Sequence, residues 1–249
     1  MKPNTIYNGD CFELVKNIPG DSVDLILEDM PYSMTQNNWD TEINLVKYWQ
    51  TRLAMLKPTG VIALTASQPF TSMLVMSNLN MFKHEWIWQK NKGSNFANTV
   101  REPFKEHESI LIFSNGRWTY NKQMQNRSGS GLDRVKYKFN HQTKSTNYRE
   151  MPNKVHKQGK LRVPSSIQRF NTETGFHPTQ KPVSLFEYLI RTYTNEGDLV
   201  FDGFAGSGTT AMACIKSNRN WICIEKEKKY CDIAEKRIKQ ELSQIELML

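Results

Sequence analysis

Two short apolar runs, Val23-Asp24-Leu25-Ile26-Leu27 near the start of the chain and Leu199-Val200-Phe201 near its end, each lead straight into acids and turn residues. Glu28-Asp29-Met30-Pro31-Tyr32 follows the first, and Asp202-Gly203-Phe204-Ala205-Gly206-Ser207-Gly208-Thr209-Thr210 follows the second. Short continuous apolar runs of this kind fit strands buried on both faces. Residues 61–66, 86–88, 109–113 and 221–224 read as further strands. Between them, residues 45–56, 70–76, 185–193, 209–216 and 228–247 carry apolar side chains at helical spacing. Lys57-Pro58-Thr59-Gly60 reads as the stop of the first helix, and Pro182 as the start of another. Strands that alternate with helices of this length predict an α/β chain, doubly wound, with a mostly parallel sheet and helices on both faces.

Composition adds limits. A chain of 249 residues can bury one sizeable core, or one core with an inserted module. No stretch reaches the roughly 18 apolar residues of a membrane span. The N-terminus lacks the apolar centre of a secretory signal, so a cytoplasmic location is expected. Cys11, Cys214, Cys223 and Cys231 form no CxxC pair and have no histidine at zinc-ligand spacing, which predicts reduced, buried thiols and no metal.

The net charge of +8 is unevenly placed. Residues 117–176 hold 13 Lys and Arg against 3 acids, a surplus of 10, while the rest of the chain carries −2. Periodicity fades over the same stretch, where Ser, Gly, Asn and Gln are mixed with scattered aromatics. Charge alone leaves two readings open, a polyanion-binding surface and a solvated loop. On the first reading Arg127, Arg134, Lys136, Lys138, Lys144, Arg149, Lys154, Lys157, Lys160 and Arg162 are the candidate contacts, mostly to phosphates, with a few reading bases.

The glycine-rich turn after residue 201 can let backbone approach a ligand closely, and the helix that follows presents free N–H groups. Its Gly203-x4-Gly208 spacing mimics a phosphate-binding P-loop, but Thr209 stands where that loop needs lysine. The glycines also depart from the GxGxxG of dinucleotide sites. Glu225 closes the next strand, where an acid can accept hydrogen bonds from two ribose hydroxyls. A glycine turn paired with a ribose acid points to a nucleoside-type cofactor.

Asp29-Met30-Pro31-Tyr32 lies at the carboxyl end of a strand, where α/β proteins place ligand groups. An adenine or cytosine amino nitrogen is a poor nucleophile because its lone pair is delocalised into the ring. Two acceptors on its N–H groups draw it toward tetrahedral geometry, and the Asp29 carboxylate with the carbonyl of residue 30 can supply them. Pro31 stiffens the loop, and Tyr32 offers a face on which a base can stack, worth about 1–3 kcal/mol. A base inside a duplex must be flipped out to reach such a pocket.

In combination these motifs resemble the S-adenosylmethionine-dependent DNA amino-methyltransferases, in which Asp-Pro-Pro-Tyr grips the amine and Phe-x-Gly-x-Gly lies beside the methionine part of the cofactor. With the catalytic motif first, the chain resembles the circularly permuted beta class. Asn8-Gly9-Asp10-Cys11 is similar to the acidic motif that meets the cofactor's adenine, His177-Pro178-Thr179-Gln180-Lys181-Pro182 to the motif that completes the cofactor pocket, and Ile224-Glu225 to the ribose-binding acid. Met30 in place of proline is the visible departure, and it keeps the backbone carbonyl.

The resemblance implies a Rossmann-like class I methyltransferase fold made of residues 1–116 and 177–249, with a target-recognition region at 117–176. It implies catalytic roles for Asp29, Met30, Pro31 and Tyr32. It implies S-adenosylmethionine contacts from Asp10, Cys11, Asp29, Thr179, Lys181, Asp202 and Phe204, and from Gly206, Ser207, Gly208, Thr209, Glu225 and Lys226. The expected activity is methylation of adenine N6 in double-stranded DNA, as part of a restriction-modification pair or as an orphan or phage enzyme, without a metal. An acid at position 29, where serine suggests cytosine N4, favours adenine. The alternatives are cytosine N4, an RNA adenine, a protein side-chain amide, or a nucleic-acid-binding module without catalysis. Members of the class are often homodimers.

Overall fold

The computed structural model describes residues 1–31, 43–128, 159–176 and 180–246. Its strands are β1 (Thr5–Asn8), β2 (Val23–Glu28), β3 (Leu56–Ala66), β4 (Phe82–Ser94), β5 (Lys105–Phe113), β6 (Gln125–Asn126), β7 (Leu161–Arg162), β8 (Ile167–Arg169), β9 (Leu199–Asp202) and β10 (Asn220–Glu225). Its α-helices are α1 (Cys11–Leu14), α2 (Leu45–Met55), α3 (Phe70–Ser77), α4 (Val183–Tyr193), α5 (Thr209–Ser217) and α6 (Lys228–Glu246). One unit comprises Met1–Asn121 with Ser166–Leu249, and a second comprises Lys122–Ser165.

The first unit is built on an eight-stranded sheet in the order β1-β10-β9-β2-β3-β5-β4-β8. Neighbours pair in parallel except at β5, which is antiparallel to β3 and to β4. The doubly wound, mostly parallel sheet expected from the alternation is therefore present. Strand periodicity sends successive side chains of β2 to opposite faces. Leu25 and Leu27 join a core with Leu185, Phe186 and Leu189 of α4 and Ala211 and Ala213 of α5. Val23 and Ile26 join a second core with Tyr48, Trp49 and Met55 of α2 and Phe70 and Leu74 of α3. Burial on both faces explains why these strands read as continuous apolar runs.

The strand order fixes where a ligand can enter. From β2 the chain moves to β3 on one side, whereas from β9 it moves to β10 on the other. β2 and β9 are adjacent, with Leu25 beside Val200 and Ile26 beside Phe201. The crevice outside the carboxyl ends of such a pair is the topological switch point of an open α/β sheet. The two motifs that are far apart in sequence thus meet at one place.

Some boundaries differ from the sequence reading. β3 begins at Leu56, so Lys57-Pro58-Thr59-Gly60 lies within the strand, and a register shift between Val23 and Leu25 absorbs the extra residues. β4 and β5 pair well beyond their apolar centres. β8, inside the basic segment, pairs with β4 through Ile87 and Ile167 and belongs to the sheet. Three residues are too few to show a period in sequence, and pairing with β4 is what makes them a strand. In the second unit β6 pairs with β7 antiparallel, Gln125 opposite Arg162. None of the described helices is long and apolar enough to cross a membrane.

Candidate active site

A cavity of about 860 Å³ opens at the switch point, within the roughly 300–1,000 Å³ typical of small-molecule sites. Asp10, Cys11, Asp29, Met30, Pro31 and Lys181 line it, together with Asp202, Phe204, Gly206, Ser207, Thr209, Glu225 and Lys226. Tyr32 and Thr179 lie outside the described residues. Gly208 is not in the lining. Its φ is +82°, and an added Cβ would lie 2.8 Å from Cβ of Ala234, so this glycine serves the packing of α5 against α6.

Asp29 stands just past β2. Lys181 Nζ donates to its Oδ2 at 2.5 Å, and the Thr65 hydroxyl donates to its Oδ1. Lys181 also lies 3.5 Å from Oε2 of Glu108, whose other oxygen is paired with Lys90. Lys90 in turn sits 4.9 Å above the Trp88 ring. Burial opposes ionisation of Glu108, but the ammonium groups of Lys181 and Lys90 outweigh it and hold the carboxyl below its ordinary range. The wall of the cavity thus carries an alternating row of charges, Asp29, Lys181, Glu108 and Lys90.

The departure at residue 30 has a structural account. Met30 is buried and its side chain packs in the core with Ile26, Tyr48 and Phe201. The side chain serves the fold, while residue 30 still lines the cavity.

The glycine turn rests on a buried ion pair that the sequence did not reveal. Glu28 and Arg52 are both fully buried, with Nη2 of Arg52 2.8 Å from Oε1 of Glu28. Tyr48 donates to Oε2 at 2.6 Å, and the Gly203 N–H donates to Oε1 at 2.9 Å. A Cβ on Gly203 would lie 2.6 Å from Nη2 of Arg52 and 2.7 Å from Oε1 of Glu28, so the first residue of the turn has room only for hydrogen. Arg52 Nη2 also donates to Cys11 Sγ at 3.4 Å. Burial pushes that thiol up to about 11, which keeps it neutral.

Asp202, also buried, accepts from the Phe204 N–H at 2.9 Å and from the Thr210 hydroxyl. It makes no ion pair among the described residues, and burial pushes its carboxyl up to about 8. Glu225 ends β10 and fastens the turn from the other side. Oε2 accepts from the Gly206 N–H and Oε1 from the Glu227 N–H, both at 2.7 Å. Burial raises its pKa. Each oxygen retains lone-pair capacity for a hydroxyl donor. Asp10 caps α1 by accepting from the Phe12 N–H at 2.8 Å and stays exposed at the rim. Ser207 is held by Arg237 of α6 through its carbonyl and hydroxyl, at 2.6 and 3.0 Å. The Thr209 hydroxyl donates to the Lys181 carbonyl at 3.3 Å, tying the helix start to the residue that holds Asp29.

Of the basic candidates, Lys160 and Arg162 are exposed, whereas Arg127 is half-buried and donates through Nε to the carbonyls of Gly159 and Leu161 at 3.0 and 3.1 Å. Arg134, Lys136, Lys138, Lys144, Arg149, Lys154 and Lys157 lie outside the described residues. Among the described residues no group of three or more His, Cys, Asp or Glu could hold a metal ion.

Sequence reasoning missed Glu28, Tyr48, Arg52, Thr65, Lys90 and Glu108. The usable signal was a charge inside an element that is otherwise buried. Such a side chain is almost never fully buried without a partner.

The geometry agrees with what comparison finds. A family model described as DNA methylase, of the N6/N4 type, matches residues 23–236. The Type II methyltransferase M.HinfI of Haemophilus influenzae is 32% identical over 267 residues, covering 95% of this chain and 68% of that protein. The DNA adenine methyltransferase YhdJ of Escherichia coli strain K12 is 28% identical, covering 94% and 82%. Among solved structures, the M1.HpyAVI–SAM complex superposes with a TM-score of 0.63 at 26% identity, over 94% of this chain and 98% of that one. The PvuII cytosine-N4-specific methyltransferase gives 0.65 at 16% identity over 94% and 88%, a likeness of fold alone. With Asp29 and the glycine turn set side by side at the switch point of a class I methyltransferase fold, the chain belongs to the N6/N4 DNA methylase family.

Proposed function

We propose that the protein transfers a methyl group from S-adenosylmethionine to the N6 amine of an adenine flipped out of double-stranded DNA. The observation that carries this reading is the Asp29 carboxylate in the wall of the switch-point cavity, beside the glycine turn and within the same enclosure as Glu225. The relative YhdJ, which is named a DNA adenine methyltransferase, supports adenine over cytosine.

The cavity suits such a cofactor. Glu225 and the exposed Asp10 offer carboxylate acceptors for sugar and base donors, Gly206 adopts φ +51° so that the turn passes close by, and Phe204 adds an aromatic wall. S-adenosylmethionine supplies an electrophilic methyl carbon on a sulfonium, which is why the transfer needs no metal. The chain's own part is to prepare the nucleophile. Asp29 and the Met30 carbonyl accept the two amine N–H groups, pull the nitrogen lone pair out of conjugation and stabilise the positive charge that grows on nitrogen. Asp29 is also the nearest base for the proton that the methylated amine releases. Tyr32 is assigned the stacking of the flipped base, and Lys160 and Arg162 are assigned phosphate contacts.

Incubation with labelled cofactor and unmethylated DNA, RNA and protein, followed by nucleoside mass spectrometry, tests the reading. N6-methyladenine in DNA is the expected product. 4-Methylcytosine would overturn the base assignment, and label confined to RNA or protein would overturn the substrate.

A further inference from the structure

We infer that Glu108 is a positioning residue for methyl transfer, holding Lys181 so that Asp29 remains an available acceptor for the amine. The inference rests on Asp29 being that acceptor. Glu108 itself lies on β5, outside every motif that marked the site in sequence.

Lys181 is the crux. Its side chain is only 7% exposed, so water does little to satisfy the ammonium, and Asp29 lies 2.5 Å away. An ammonium with one carboxylate neighbour in such a place would spend its charge on that carboxylate and compete with the amine for Oδ2. Lysine has three N–H donors on a flexible stem. Glu108, 13% exposed and 3.5 Å from the same Nζ, gives the cation a second anchor. Lys90, paired with the other oxygen of Glu108 and resting over Trp88, keeps Glu108 ionised and in place. Two acids and two lysines sum to zero. Removing the charge of Glu108 leaves the row one positive charge in excess and drives Lys181 onto Asp29.

Other charged groups reach the same cavity, among them Asp10, Lys47, Glu225, Lys226 and Glu227 at its cofactor end. Lys90 is on β4 and Glu108 on β5, Lys181 precedes α4, Asp202 ends β9, and Lys92 and Glu173 lie further along the cavity. Among these Glu108 is the anion that shares the cation held by Asp29. The neighbouring Glu28 is committed to Arg52.

The test is steady-state kinetics on unmethylated phage DNA across pH, with Tm measured for each variant. Glu108→Gln is expected to lower kcat about 10- to 100-fold, the scale of a displaced catalytic group, with the KM for S-adenosylmethionine within about threefold of wild type. Because losing the Glu108 carboxylate leaves one uncompensated positive charge beside the site, the acid limb of the kcat profile moves to lower pH by about half a unit or more. Glu108→Asp keeps the charge, so it retains the wild-type limb and recovers part of the rate. In a Lys181→Met background, Glu108→Gln adds no further loss, because the link is already cut. An acid limb that stays put in Glu108→Gln, equal losses in Gln and Asp variants, or additive losses with Lys181→Met would overturn the inference. A wild-type protein that methylates no DNA would instead overturn the reading of function beneath it.

Discussion

Glu28 closes β2 and Asp29 follows it, two consecutive carboxylates with different partners. Glu28 is walled in, with all its acceptor capacity taken by Arg52, Tyr48 and the Gly203 N–H. Asp29 lines the cavity with one oxygen on Lys181 and one on Thr65. The same charge, one residue apart, does two kinds of work. The guanidinium beside Glu28 is rigid and forked, which suits a permanent strut, whereas the ammonium beside Asp29 is a mobile point charge that can yield to a substrate. The difference is one of partner: a buried guanidinium fixes the carboxylate beneath the turn, whereas an ammonium and a hydroxyl hold the carboxylate that lines the cavity.

The comparison breaks most visibly on the buried side. Arg52→Ala leaves Glu28 uncompensated in the core, a loss of about 3–5 kcal/mol for a broken buried pair. At about 2–4 °C per kcal/mol for a chain of this size, Tm falls by roughly 6–20 °C. Thermal unfolding by circular dichroism reads the change, and a shift of a degree or two would show that the pair is not the strut of the turn.

On the cavity side the expected loss is chemical. Asp29→Ala removes the charge-stabilising acceptor and lowers kcat about 10²–10³-fold, roughly 2.7–4 kcal/mol of transition-state stabilisation. Cofactor binding by calorimetry persists, and Tm stays near that of wild type. Near-normal turnover would remove Asp29 from its role, and a collapse of Tm would erase the contrast with Glu28.

Gly203→Ala couples the two sides. The new methyl meets Arg52 Nη2 at 2.6 Å and Glu28 Oε1 at 2.7 Å, so the pair must shift. Overpacking of this kind costs about 1–3 kcal/mol, and because the turn moves with the pair, cofactor affinity falls with stability. An unchanged affinity alongside a lowered Tm would mean that the turn tolerates movement of its strut.

Much of this was open to sequence reading, and the remainder was closed for identifiable reasons. The buried strands, the helices and the two motifs are local patterns, and local patterns are what periodicity and turn chemistry report. Asp29, Lys181 and Glu225 stood out because each sits at a strand end or within a motif. Arg52 did not, because it lies in a helix whose spacing looks ordinary, and its partner Glu28 lies on a strand before it; only the packing of α2 on β2 joins them. Glu108 and Lys90 were hidden in the same way, as charges within strands of a hairpin whose full length the apolar centres understate. Gly206 and Gly208 share one motif, yet one faces the cavity and the other faces Ala234. Nothing in a run of alternating glycines separates those duties.

Asp202 extends the comparison to a third acid and to the smallest expected effect. It stands on β9, next to β2, buried like Glu28 but with no ion pair among the described residues, and burial favours its protonated form. Its carboxyl is raised from the ordinary 3.8 to about 8 by burial, so between these values the folded state holds a proton that the unfolded chain has released. Stability from this group is therefore fully present below about pH 4, is lost as pH rises toward 8, and is level above. Over a single unit, from pH 6 to 7, the loss is at most about 1.4 kcal/mol. Asp202→Asn mimics the protonated acid, with its oxygen toward the Phe204 N–H and its amide toward the Thr210 hydroxyl, and it does not titrate. Urea unfolding at pH 5, 6, 7 and 8 is expected to give a shallower decline for the variant than for the wild type, with the gap widening toward pH 8. Parallel curves would mean that Asp202 is ionised in the fold, and the third carboxylate would then need the cationic partner that Glu28 and Asp29 each possess.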